Sequence, residues 1–307
     1  MKIYAPNYYG KFCCIADKCR HNCCIGWEID IDSDTYEYYQ TVGGSMGRRL
    51  ADNIHSVDEM PCFRLGEDER CPFLNNKNLC DIISQLGEDK LCEICTDHPR
   101  YRNYYSSRTE TGLGLCCEEA ARIILTSEDK MRLTIIGEDD DIAIDDEEEN
   151  AFFSFRQRAF DIMQDRSKTI SERISRLCSD FDIIIPEKSG QEWSDLFRSL
   201  ERLDEEWDMK LEMLRATSPT TPDSLENSSI PAEQLMIYFL YRHMAEGIYD
   251  GKMPQRMAFA IVSCCIIFAI SDGICSGDAE TLADVARMYS AEIEYSDENI
   301  NKILEVL

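Results

Sequence analysis

The sequence predicts a mainly α-helical protein, in which a cysteine-rich, loop-dominated N-terminal part surrounds a metal centre and packs on an α-helical C-terminal part. Three observations predict it. Twelve of the sixteen cysteines lie before residue 118. Beyond residue 150, apolar residues recur at the three- and four-residue spacings of helices. Between these parts, nine acids fall from Glu138 to Glu149, a run that reads as a loop or linker. The 307 residues thus divide into a cysteine-rich domain (1–136), an acidic linker (137–150) and a helical domain (151–307).

Taken in order, residues 1–27 read as irregular structure around the first cysteines. Ser33 or Asp34 offers a cap for a short helix through Tyr36 and Tyr39. Gly43-Gly44 breaks the chain, and His55 to Cys80 is punctuated like loops, with Cys71-Pro-Phe-Leu74 a tight turn. Asp81 to Leu86 predicts one or two helical turns that Gly87 ends. Pro99 forbids helix before the tyrosine-rich Tyr101–Tyr105 segment. From Cys116-Cys117 a helix begins with acids in its first turn, where the dipole favours them. Arg132 to Ile136 reads as a strand.

In the second half, Phe152, Phe155, Ala159 and Ile162 share a helix face. Thr169-Ile-Ser-Glu172 has the form of a capping box. The stripe Trp193, Leu196, Phe197, Leu200, Leu203, Trp207, Leu211 and Leu214 is the strongest in the chain. Ala216 to Ser229 is a Ser/Thr/Pro-rich loop. Pro231 sits in the first turn of a helix to about Gly247, and Pro254 starts a buried helix. Two amphipathic helices close the sequence, Ala279–Tyr289 and Asp297–Leu307.

The formal charge of −27 is uneven, with 16 Lys/Arg against 37 Asp/Glu beyond residue 136. Phosphate backbones are repelled by such a surface, so no nucleic-acid partner is expected, whereas a basic partner is attracted. The amino terminus has no apolar signal-type region. The apolar run Met257–Ile270 is too short to cross a bilayer, so no membrane partner is expected either. A cytoplasmic protein follows. There thiols stay reduced, and clustered cysteines hold metal.

Thiolates are soft ligands suited to zinc or iron–sulfur clusters. The spacings are Cys14-x4-Cys19-x3-Cys23-Cys24, then Cys71, Cys80, Cys92-x2-Cys95 and Cys117. Only Cys92-x2-Cys95 is a conventional chelating pair. Successive side chains diverge, so Cys23-Cys24 suggests two sites, or one ligand and one core thiol. Cys178, Cys264, Cys265 and Cys275 lie on apolar helical faces and read as core.

The text FxC…CxxxCCxGWxIxID (Phe12 to Asp32) resembles the flagellin lysine-N-methylases. The resemblance continues through CPFL and LC (Cys71 to Cys80), LGE and LCxxC (Leu86 to Cys95), Pro99-Arg100 and LxLxC-x-EAAR (Leu113 to Arg122). It extends to Phe153–Gln164 and to Tyr238–Arg242, so it covers nearly the whole chain. It implies transfer of a methyl group from S-adenosylmethionine to a protein lysine, with flagellin as the type of substrate. It also implies an iron–sulfur cluster of the [4Fe–4S] kind, zinc being the alternative. The matching cysteines are Cys14, Cys19, Cys23, Cys24, Cys71, Cys80, Cys92, Cys95 and Cys117. Cys13 and Cys116 stand beside matched positions, and Cys62 has no counterpart. His98 replaces an aromatic residue and Glu118 a proline, and His98 is a candidate additional ligand.

Methylating an amine requires its neutral form, reached by desolvation or by a base. Tyr101, Tyr104, Tyr105, Glu88, Asp97 and Glu110 lie near the second cysteine group and are candidates for that help. No Gly-rich strand–loop–helix marks a methyl-donor pocket, because Gly43-Gly44-x-x-Gly47 lacks a preceding strand. Two readings of other kinds remain. One is a non-catalytic zinc- or iron-binding interaction protein whose thiolate sites staple loops. The other is an enzyme of the same architecture that modifies another peptide or protein.

Overall fold

A computed structural model describes residues 1–217, 224–274 and 278–307. Among the described residues the strands are β1 (Lys2–Pro6), β2 (Ile54–Val57), β3 (Met60–Phe63), β4 (Arg100–Tyr104), β5 (Arg108–Leu113) and β6 (Leu133–Glu138). The rest of the regular structure is helix, and the protein is mainly helical. Two compact units divide the chain. One comprises Cys13–Tyr101, and the other Met1–Phe12 with Arg102–Leu307. Contacts thus draw the boundary at Tyr101, whereas composition draws it at residue 136.

The smaller unit contains a β2–β3 hairpin that its text does not advertise. Its turn residues, Asp58 and Glu59, both have positive φ, the geometry usually supplied by Asn-Gly. The segment Ile29–Ile31 hydrogen-bonds along β3 through Phe63 N–H to Ile29 O at 3.0 Å and Ile31 N–H to Pro61 O at 2.8 Å. Asp32, rather than Ser33 or Asp34, caps the helix Ser33–Thr41 by accepting from Thr35 N–H at 2.9 Å. Helix Asp81–Leu86 ends at Gly87, whose φ of +111° suits only a residue without Cβ. A core of Ile29, Ile31, Tyr39, Met46, Leu50, Phe63, Phe73, Leu74 and Ile82 also includes Cys71 and Cys92.

In the larger unit, residues 2–6 are strand rather than irregular coil. The sheet order is β4-β5-β1-β6, with β1 parallel to β5 and antiparallel to β6. Helix Glu118–Leu125 begins directly after Cys117, and β6 lies one residue on from its predicted start. The capping box at Thr169 and Glu172 is formed on helix Ile170–Asp180. Thr169→Ala should therefore lower stability by about 1 kcal/mol, read as a melting-point drop of a few degrees.

The Trp193–Leu214 stripe is carried by two helices, Gly190–Arg198 and Glu206–Arg215, packed against each other. The break is stabilised from outside. Glu292 accepts from Leu203 and Asp204 N–H at 2.9 and 2.7 Å, and Asn299 accepts from Glu201 N–H at 3.0 Å. Gly190 permits the close pack, since a Cβ there would stand 2.0 Å from Leu214 O.

Helix Met253–Ile274 packs on helices Ser229–His243, Ala279–Tyr289 and Glu206–Arg215. Its 22 residues are long and apolar enough to cross a membrane, unlike the shorter run read from sequence. Yet 83% of its apolar window is buried inside the protein, as in a core helix. Cys264 and Cys265 are buried within it and Cys178 is half-buried. Burial pushes the Cys265 thiol up to about 12 and Cys264 well above its usual value, so both stay neutral. Cys275 and loop residues 218–223 lie outside the described residues.

Candidate metal centre

Backbone pairing in the smaller unit assembles the cysteines. Cys71 N–H donates to Cys24 O at 2.8 Å, and Ile25 bridges to Arg70. Leu74 N–H returns to Cys71 O at 3.1 Å while Leu74 bridges to Cys80. Cys24, Cys71 and Cys80 are thereby gathered from distant text. Cys92 and Cys95 join through one helical turn, with Cys95 N–H on Cys92 O at 3.0 Å. Cys24, Cys80 and Cys95 are half-buried against the core that contains Cys71 and Cys92.

Two residues tie the second group to the frame. Asp32, besides capping its own helix, accepts from Glu93 N–H at 2.8 Å with its other oxygen. It thereby fixes the start of helix Glu93–Asp97, whose N-cap is Cys92. The Tyr39 hydroxyl donates to Lys90 O at 2.8 Å and stands 3.7 Å from Cys92 Sγ. The run Asp-Ser-Asp announced a cap but not its place, since Ser33 or Asp34 was expected where Asp32 serves. Tyr39 was not legible, because only the fold brings it to Cys92.

The thiols feel one another. A hydrogen bond from Cys95 holds Cys92 below its usual range, and the same bond and burial push Cys95 up. Cys23 and Cys24 form a second such pair. A hydrogen bond between their thiols lowers Cys23 and raises Cys24. Burial and the charges of Cys23, Cys71 and Cys80 raise Cys24 further. Cys95 is raised in the same way by the charges of Cys92, Cys71 and Cys23. Burial, opposed by backbone N–H groups, moves Cys71 up to about 11 and raises Cys80. Six thiols, Cys23, Cys24, Cys71, Cys80, Cys92 and Cys95, thus form one electrostatic neighbourhood.

The other expected ligands stand differently. Cys14 is exposed and its sulfur accepts from Ala16 N–H at 3.4 Å. The half-buried Cys19 donates to His21 O at 3.2 Å. Cys117 belongs to the larger unit, as the N-cap of helix Glu118–Leu125. Cys62 is buried in β3, raised to about 11 by burial and then by the acids Glu28 and Asp30. Among the described residues, no three His, Cys, Asp or Glu side chains stand as ligands of a single ion. The observed feature is the two thiol pairs Cys23–Cys24 and Cys92–Cys95 with Cys71 and Cys80 in the same unit, none of them in a disulfide.

Of the residues considered for deprotonating an amine, Glu110 is wholly buried in ion pairs with Arg108 and Arg156. Tyr105 lies beside it, 3.4 Å from Arg156, and both are structural. Tyr104 and Glu88 are exposed.

His98 is half-buried and packs on Trp27 at 6.0 Å between ring centroids. Burial, with Arg100 nearby, lowers its imidazole to about 4. A histidine depressed in the folded state favours folding above its unfolded value near 6.5. That contribution is lost as pH falls toward 4. Between pH 7 and 4.5, the native protein should lose about 1–2 kcal/mol more stability than His98→Gln. Urea unfolding at the two pH values reads the difference, and equal losses would sink the argument.

No family model matches the chain, and no solved structure matches it. Over 138 residues it is 28% identical to a protein named lysine-N-methylase from Salmonella typhimurium, spanning 43% of this chain and 34% of that protein. A lysine-N-methylase of Salmonella choleraesuis matches equally, at 28% over 138 residues. Over 137 residues the chain is 30% identical to the flagellar biosynthetic protein FliU of Salmonella muenchen, covering 43% of this chain and 81% of that one. The match spans about a third of the length of the two lysine-N-methylases.

Proposed function

The chain belongs to the flagellin lysine-N-methylase family, and we propose that it transfers a methyl group from S-adenosylmethionine to a lysine of a protein substrate, flagellin being the type, using a protein that holds an iron–sulfur cluster. In such a transfer the lysine Nζ must first lose its proton, since the ammonium has no lone pair. The neutral amine then takes the methyl group from the sulfonium, which departs as a thioether. The product remains an ammonium, so each transfer releases the one proton that the lysine lost at the start.

The observation that supports a metal is the backbone pairing that brings Cys24, Cys71 and Cys80 together from distant stretches and packs them, with Cys92 and Cys95, on one core. The donor chemistry suits the group. It is all sulfur, next to an apolar core, with hydrogen-bonded thiol pairs that lose protons when a metal binds. Cys23, Cys24, Cys71, Cys80, Cys92 and Cys95 are the candidates to hold it, with Cys14, Cys19 and Cys117 added by the family pattern. When bound, an iron–sulfur cluster supplies a redox-active or Lewis-acidic centre. No residue is assigned to the methyl donor.

Anaerobic purification tests the reading. A brown protein with matching iron and acid-labile sulfide, which moves label from S-adenosylmethionine to flagellin lysines, is the expected result. A colourless protein that holds only zinc and does not bind S-adenosylmethionine would overturn it in favour of a thiolate-stapled interaction module.

A further inference from the structure

β6 is an edge strand. Among the described residues it is hydrogen-bonded to β1 alone, since β1 pairs with β5 on its other side. Thr134, Ile135 and Ile136 are all exposed, the two isoleucines by 51% and 47%. Edge strands are normally protected by proline, lysine or a covering element. Leu-Thr-Ile-Ile-Gly-Glu has neither residue, and its only irregularity is the register shift opposite Ile3 and Tyr4. The opposite edge, β4, carries Arg100 and Arg102. The sheet therefore leaves one of its two edges apolar.

β6 ends on Glu138, and the chain continues directly into Asp139, Asp140 and Asp141, and then into Ile142 and Ile144, exposed by 86% and 64%. Of these acids Asp139 is paired with the Met1 ammonium at 2.8 Å, and Glu138, Asp140 and Asp141 stand at the end of the open edge. They disfavour edge-to-edge pairing of two copies, which would bring like charges together, and they attract a cationic strand. Addition of a strand to a free edge is a standard mode of peptide recognition. Main-chain hydrogen bonds supply affinity in it, and side chains supply selectivity.

We propose that the free edge of β6 docks an extended, lysine-bearing segment of the partner protein. The isoleucines would contact its alternate side chains, and the acids would meet its ammonium groups. The identity of the partner as a lysine-bearing protein rests on the methyl-transfer reading; the docking edge does not. At about 3.3 Å per residue, the six residues of β6 span roughly 20 Å, enough to pair five or six partner residues.

The experiment uses the full chain and a synthetic peptide alternating lysine with valine. Hydrogen exchange should show new protection of the amides of residues 133–138 when the peptide is added. Fluorescence anisotropy should show binding that weakens with salt. The double variant Ile135→Lys/Ile136→Lys should bind about tenfold or more weakly, with unchanged circular dichroism and melting point. If that variant fails to fold, Glu138→Gln/Asp140→Asn should still weaken binding and flatten its salt dependence. Absence of protection at β6 overturns the proposal. So does equal binding of a lysine peptide broken by adjacent proline pairs, which remove N–H donors from both of its edges. Protection at β6 without methyl transfer to any lysine would leave the docking edge standing and sink the activity. Methyl transfer from a chain that shows no protection would do the reverse.

Discussion

Truncating Glu110 to alanine should cost the larger unit about 3–5 kcal/mol, against a total stability of order 5–15 kcal/mol. Glu110 lies on β5 with no exposure, and its Oε1 accepts from Arg156 at 2.7 Å and from Arg108 at 2.5 Å. The Arg156 guanidinium is only 2% exposed and is packed by the rings of Phe152, Phe160 and Tyr241. Without the carboxylate, a cation is left in an apolar pocket with little water. Arg108, 20% exposed, can turn to solvent, so the penalty falls on Arg156. Glu110→Gln/Arg156→Met should cost less than Glu110→Ala, because the stranded charge goes too. Breaking the exposed Arg158–Asp180 pair should cost under about 1 kcal/mol. Trp193 and Trp207, both buried in this unit, report its urea unfolding by fluorescence. A Glu110→Ala loss below about 1 kcal/mol would mean that Arg156 finds water after all.

Cys92→Ser combined with Cys95→Ser should remove most of the metal from anaerobically purified protein, while Cys264→Ser leaves the content unchanged. The pair combines the one conventional chelating spacing with the position that Asp32 and Tyr39 hold in register. Serine oxygen is a poor substitute for a soft thiolate. Cys264 lies wholly buried in helix Met253–Ile274, where its thiol donates to Ala232 O at 3.8 Å. Iron and zinc per chain, measured by plasma emission, decide the matter. Equal loss in Cys264→Ser would erase the distinction between site and core thiols. No loss in the double variant would remove Cys92 and Cys95 from the site.

The helices were legible where side chains near in sequence determine them. Thr169 with Glu172, Cys117 before Glu118, and Ala279–Tyr289 follow from caps and three- and four-residue spacing alone. Long-range pairing was not. β1 and β5 meet through Lys2 and Arg108, and no local pattern announces that partnership. The β2–β3 turn was hidden because Asp58 and Glu59 adopt positive φ without a glycine. The break after Arg198 was hidden for a similar reason, since the groups that satisfy it, Glu292 and Asn299, lie far along the chain. Of the site, Cys92 and Cys95 could be read from their spacing. The Cys24–Cys71 backbone pairing, and the contact between the Cys23 and Cys24 thiols, depend on how loops lacking any periodicity are laid against one another.

The discontinuity of the larger unit has a consequence for the order of events at the ribosome. β1 is made early, yet its sheet neighbours begin only at Arg108 and Leu133, and residues 13–101 are made in between. The thiol-bearing unit is therefore complete, with its own core, before its host can close a sheet around β1. A nascent chain arrested shortly after residue 101 has emerged would already contain Cys23, Cys24, Cys71, Cys80, Cys92 and Cys95 and every residue of their core. The host would still be a lone strand awaiting partners. Folding of the thiol-bearing unit and closure of the sheet around β1 thus become separable steps in the life of a single molecule.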